Sequence, residues 1–245
     1  MAYELDFARI YNKGWGDFST NLAQIYWEHF KKEGVSVKNI LDLACGCGQF
    51  LAVLCDKGCN CTGLDISEHM LNVAKENYKD KKIDFVVGDM TNFDFKKQFD
   101  LISCNYDAIN HLSEFEEWAN TFKCAYNNLK SGGYFVFDSN TVNSVNMPDI
   151  QQVYLLEGEE YDIVADVSSF NDSKIVMHNV VYEKQENGLY KKIVCTVTET
   201  LFEGKQIIKQ LKATGFSKIT VLDAKYDETK DPDNSRRAYF ICKKD

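Results

Sequence analysis

Residues Asn39 to Phe50 read Asn-Ile-Leu-Asp-Leu-Ala-Cys-Gly-Cys-Gly-Gln-Phe, and this stretch constrains the fold more than any other. Ile40 to Ala44 is an apolar run broken only by Asp42, and the small-residue turn with Gly46 and Gly48 precedes the helical pattern Phe50, Leu51, Val53, Leu54. The order is strand, glycine turn, helix. Glycine lets a backbone turn sharply or approach a ligand, and a helix starting there points unpaired N–H groups at that ligand. The turn is therefore a candidate cofactor site. A dinucleotide fingerprint would place a third glycine where Leu51 stands, and no Gly-Lys-Ser/Thr follows to make a phosphate loop. Two carboxylates frame the turn instead: Asp42 inside the strand, and Asp65 closing the next apolar run, Cys61 to Ile66, where such folds set an acid against ribose hydroxyls.

These residues resemble the class I S-adenosylmethionine-dependent methyltransferases, whose first motif is acidic-x-x-x-Gly-x-Gly and whose second is an acid ending strand two. Ala44 stands where that motif usually has its first glycine. The resemblance implies S-adenosylmethionine as cofactor, held by Asp42, Ala44, Cys45, Gly46, Gly48, Asp65, Ile66 and Met70. In Gly88-Asp89-Met90, it gives Asp89 the adenine amino group and Met90 the ring face, and it adds Cys104 and Asn105 after strand four. Tyr11-Asn12-Lys13-Gly14-Trp15 is similar to the family's N-terminal lid element, which brings Tyr11 and Trp15 to the cofactor. The layout is similar to the sugar-amine N-methyltransferases and, more distantly, to glycine N-methyltransferase. Those enzymes carry a stretch similar to Ile109-Asn110-His111-Leu112 beside the acceptor amine, which implies catalytic roles for His111 and for Tyr11 facing it. A histidine near pKa 6.5 can accept a proton at neutral pH or orient an acceptor by a hydrogen bond; the competing reading of His111 is a helix cap or surface residue.

From Ile40 onward, strand patterns near residues 40–43, 59–65, 83–87, 99–104 and 134–138 alternate with helical ones near 50–57, 68–78 and 116–129. This predicts an α/β fold: a Rossmann-like, doubly wound, mostly parallel seven-stranded sheet with ligands at the carboxyl ends of its strands. The resemblance makes the last strand antiparallel. Residues 1–36 read as a helical cap or lid, 37–140 and 203–245 as the cofactor domain. Residues 141–202 read as an inserted antiparallel β subdomain over the acceptor site, with β-branched and aromatic runs at 153–157, 161–170, 175–184 and 190–201. Pairing of two copies through these hairpins into a homodimer is the other reading of the insertion.

Asp107, Asp138 and Asn140 resemble the Mg²⁺ set of catechol-type O-methyltransferases, but Ser139 breaks the pattern, and no metal is expected. None of the nine cysteines has Cys-x-x-Cys spacing, so they read as small buried residues that stay reduced. The net charge of −9 with three arginines lacks a nucleic-acid footprint, and neither Asn-Pro-Pro-Tyr nor Pro-Cys is present for base methylation. No apolar stretch is long enough to span a membrane and the acidic N-terminus is unlike a signal peptide, so a cytoplasmic enzyme is expected. The function so read is methyl transfer to a small-molecule acceptor, an amine nitrogen, by in-line displacement. The alternatives are a metal-dependent O-methyltransferase of a small hydroxylated substrate and a non-catalytic nucleotide-cofactor-binding protein.

Overall fold

The computed structural model describes residues 16–146, 152–171 and 173–245. A helix α1 (Gly16–Lys32) leads into β1 (Asn39–Leu43), α2 (Gln49–Asp56), β2 (Asn60–Asp65), α3 (Glu68–Asn77), β3 (Ile83–Val87) and β4 (Phe99–Cys104). A single 3-10 turn (Ala108–His111) then precedes α4 (Phe115–Asn128) and β5 (Leu129–Asn140). Four strands follow, β6 (Gln152–Glu157), β7 (Tyr161–Asn171), β8 (Lys174–Lys184) and β9 (Tyr190–Thr200), and then α5 (Gly204–Thr214), β10 (Lys218–Leu222) and β11 (Arg237–Lys243). Tyr11 and Trp15 lie outside the described residues.

The main sheet has the order β10-β11-β5-β4-β1-β2-β3. Its strands are parallel except β11, which runs antiparallel between β5 and β10, as expected. Side-chain alternation divides the core. Leu41, Leu43, Phe135, Phe137, Phe240 and Cys242 face α4 and α5, whereas Ile40, Val136, Tyr239 and Ile241 face α1 and α2. Burying each large apolar side chain contributes about 1.5–3 kcal/mol, and the stacked Phe137 and Phe240 rings, 4.5 Å apart, weld β5 to β11. Because strand order reverses between β1 and β4, the loops leaving them diverge and open a crevice at their carboxyl ends.

The inserted strands form their own antiparallel sheet in the order β6-β7-β8-β9. Its tight β8–β9 turn uses Gly188 at φ 79°. Asn110, fully buried, ties this sheet to the main one: its amide donates to the Asn140 and Thr200 carbonyls at 3.1 and 3.0 Å and its oxygen accepts from the Asn140 N–H at 2.9 Å. The end of β9 is thereby held over the ends of β4 and β5.

Candidate active site

The donor side is made by the β1–α2 turn. Ala44, Gly46 and Gly48 all have left-handed backbones, at φ 50°, 53° and 84°. A Cβ on Gly48 would meet the Phe85 ring at 2.9 Å, so this glycine serves close packing. The Cys45 N–H donates to the Leu64 carbonyl at 3.0 Å and fixes the turn to the end of β2. There Asp65, 8% exposed, accepts from the Gly46 N–H and the Ser67 N–H, each at 2.8 Å. Burial pushes its carboxyl up and these two donors pull it down. Asp42 accepts from the Ser103 hydroxyl at 2.6 Å and the Asn105 amide at 3.3 Å. Its burial raises the carboxyl to about 7 against those donors.

Above the turn lies a partly open cleft. It gathers Asp42, Ala44, Cys45, Gly46, Asp65, Ile66, Met70, Asp89, Met90, Asn105 and His111 along one wall system. Two expected residues stand outside this lining. Gly48 packs behind the turn, and Cys104, fully buried, lies 3.8 Å behind the Met90 sulfur. The described lining holds three aspartates and neither lysine nor arginine, which suits a cationic ligand and opposes a pyrophosphate. The Asn105 side-chain oxygen is buried without a partner among the described residues, an acceptor awaiting a donor. Ile66 is 53% exposed at the cleft, an apolar surface for a base. Sulfonium and ammonium cations, a ribose diol and an adenine ring match this set, so the residues fit S-adenosylmethionine.

The acceptor side is built from loops far apart in sequence. After β4 the chain turns through two left-handed residues, Tyr106 at φ 60° and Asp107 at φ 50°, whose N–H groups donate to Asp138 at 2.6 and 3.0 Å. Asp107, Asp138 and Asn140 do converge, as the metal reading required. They meet around the Arg237 guanidinium, which pairs with Asp107 at 3.3 Å and makes a short contact with Asp138. The chain's own cation thus sits among these carboxylates. The guanidinium also lies 5.0 Å from the Phe18 ring and 5.7 Å from the Tyr106 ring. Asn140 donates to Asp107 at 2.8 Å and to Glu199 of β9 at 2.6 Å. Burial, and then the Asp107 charge, push the Glu199 carboxyl up, against the Asn140 amide that donates to it. His111 hydrogen-bonds the Thr198 backbone, and burial, outweighing the Asp107 charge, lowers its pKa below 6.5. Burial therefore favours the neutral form of the ring at the cleft.

Sequence reasoning passed over Tyr106, Glu199, Arg237 and Phe18. The signals available were thin: the second of two adjacent arginines opening an apolar strand, and a glutamate near the end of a β-branched one.

Comparison with known proteins places these features in context. The family model described as a methyltransferase domain matches residues 40–133. A putative methyltransferase of Geobacillus sp. (strain WCH70) is 25% identical over all of this chain and 98% of its own. The crystal structure of an S-adenosylmethionine-dependent methyltransferase from Clostridium acetobutylicum superposes with a TM-score of 0.81 at 25% identity, covering 98% of both chains. A dTDP-3-amino-3,6-dideoxy-alpha-D-glucopyranose N,N-dimethyltransferase of Streptomyces fradiae is 30% identical over 39% of this chain and 35% of its own. With the fold, the glycine turn and the acidic cleft in agreement, the chain is an S-adenosylmethionine-dependent methyltransferase.

Proposed function

We propose that the enzyme methylates an amine nitrogen of a small molecule, with an amino sugar as the favoured class, in the cytoplasm. The observation that carries this reading is the place of His111 in the cleft lining, beside the loop that joins donor and acceptor sides, where burial favours the neutral imidazole. A protonated amine must lose a proton to become nucleophilic, and a neutral histidine can accept it. The local likeness to the amino-sugar dimethyltransferase supports the acceptor class.

S-Adenosylmethionine, when bound, supplies a methyl group already activated on a sulfonium, so no enzyme nucleophile is needed. Asp65 holds the ribose hydroxyls, Asp42 and Asn105 face the cationic chain, and Asp89 with Met90 and Ile66 flank the base. Ala44, Cys45, Gly46 and Met70 shape the floor of the cleft. Tyr11 and Trp15 are assigned to the proposed lid from the sequence resemblance alone, and His111, with Tyr11 as its proposed catalytic companion, takes or orients the acceptor proton. The β6–β9 sheet, anchored through Asn110 and Glu199, covers the acceptor and excludes water.

Release of S-adenosylhomocysteine should be followed across a panel of amino sugars, simple amines and their hydroxyl analogues, with and without a chelator. The expected outcome is turnover of amines alone, insensitive to chelation. Because burial lowers the His111 pKa, the base form persists to more acid pH. The acid limb of activity should therefore lie below pH 6.5 and vanish in the residual activity of His111→Ala. Turnover of hydroxyl analogues alone, or abolition by the chelator, would reject the amine reading.

A further inference from the structure

Alternation along β9 turns Val197 and Glu199 inward, 5% and 2% exposed, so a carboxyl stands where the pattern calls for an apolar side chain. This end of β9 meets the His111 turn and β5 at three successive residues. The Thr198 backbone hydrogen-bonds the His111 ring, the Thr200 carbonyl accepts from the Asn110 amide at 3.0 Å, and between them Glu199 accepts from the Asn140 amide at 2.6 Å. The same Asn140 nitrogen donates to Asp107 at 2.8 Å, which crowds two carboxyls onto one amide. The charged groups around Glu199 are Asp107 from the loop after β4, Asp138 from β5 and Arg237 from β11, with Tyr106 and His111 as the neighbouring titratable rings. Arg237 pairs with Asp107 and Asp138, and among the described residues no ion pair reaches Glu199. Three buried carboxyls thus share one cation.

A third carboxylate here would be a buried charge without a partner of opposite sign, the costliest kind of polar burial. A carboxylic acid removes the conflict, because its hydroxyl can donate to the Asp107 carboxylate while its carbonyl oxygen keeps the Asn140 amide. The direction in which burial and the Asp107 charge move the Glu199 carboxyl agrees. We infer that Glu199 is a positioning residue for methyl transfer: as a neutral acid it fastens the end of β9 to Asp107 and so holds the Thr198 backbone against His111. The inference rests on the reading of His111 as the group that takes or orients the acceptor proton. Glu199 lies outside the described cleft lining and acts through the imidazole, whose tautomer and orientation follow from the hydrogen bond that its other nitrogen makes. Loss of the Glu199 proton would set two carboxylates against each other across Asn140 and push β9 off the Asp107 loop. The ring would then lose its brace as pH rises.

Glu199→Gln tests it, because the amide keeps the donor, the acceptor and the shape of the neutral acid but cannot ionise. Turnover is read as S-adenosylhomocysteine release with whichever member of the amine and hydroxyl panel the wild type converts fastest. Glu199→Gln should retain turnover at neutral pH and hold it to more alkaline pH than the wild type. Glu199→Ala should lower kcat about a hundredfold through a misplaced ring, with S-adenosylmethionine affinity unchanged. Thermal unfolding without acceptor gives a second readout. A carboxyl whose pKa is raised on folding contributes stability that is lost as pH rises from its unfolded value of about 4.3, so the melting-temperature advantage of Glu199→Gln should widen from about pH 5 to about pH 8. An equal melting difference at every pH, a Glu199→Gln enzyme as slow as Glu199→Ala, or failure of wild type and Glu199→Gln at the same alkaline pH would overturn the inference. A fully active His111→Ala would reject the reading of His111 and this role with it, whereas the melting difference would still report the neutral acid.

Discussion

The two sides of the cleft are built in opposite ways. The turn on the donor side is a local device: Asp65 is held by N–H groups two and nineteen residues away, and the turn it braces is shaped by backbone dihedrals, although Asp42 behind it reaches Ser103 and Asn105 across 61 and 63 positions. The acceptor side is assembled at long range, with Arg237 reaching Asp107 across 130 positions and Asn110 reaching Thr200 across 90. A turn fixed by its own backbone can keep its cofactor geometry while the acceptor site is remodelled. A long-range charged network ties the acceptor site to the integrity of the whole fold, so the two sides should fail differently when cut.

The largest effect should come from Arg237→Ala. It leaves Asp107 and Asp138 without their cation, and breaking a buried pair by removing one partner costs about 3–5 kcal/mol. At about 2–4 °C per kcal/mol, the melting temperature should fall by about 10 °C. Burial favours the protonated form of Asp138, so without the arginine the deficit should shrink as pH falls and that carboxyl becomes neutral. A deficit of equal size at every pH would show that the network is not what was lost.

Asp65→Ala should act on the other side. Loss of a charged hydrogen-bonding group costs about 1.5–3 kcal/mol, which predicts about ten- to a hundredfold weaker S-adenosylmethionine binding by calorimetric titration in a folded protein. Unchanged affinity would remove Asp65 from the donor site. The smallest effect concerns Ala44, whose left-handed backbone costs about 1 kcal/mol relative to glycine. Ala44→Gly should raise the melting temperature by a few degrees, and an unchanged or lower value would mean that the turn carries no such strain.

The same contrast decides what the sequence disclosed. Asp42, Gly46 and Asp65 were legible because a strand, a glycine turn and an acid at the next strand end are short-range patterns with a mechanism. The sheet was legible from its periodicity, and the separate β6–β9 sheet from the change in that periodicity. Gly48 shows the limit of motif reading: the glycine was expected at the ligand, but it packs against Phe85. Cys104 was drawn in by its place at the end of β4, yet its sulfur points behind Met90. Asp107, Asp138 and Asn140 were seen as a group, but nothing local announces that Arg237 from the last strand lies among them. Glu199 was missed for the same reason, since its partners come from β4 and β5.

The division of labour is tested most directly by measuring turnover and S-adenosylmethionine affinity together in His111→Ala and Asp65→Ala. For His111→Ala, turnover of the identified acceptor should fall about 10²–10⁴-fold if the ring is the base, with cofactor affinity little changed. For Asp65→Ala, affinity should fall. If His111→Ala instead loses cofactor binding in step with turnover, the histidine belongs to the donor pocket and the separation of the two sides is wrong.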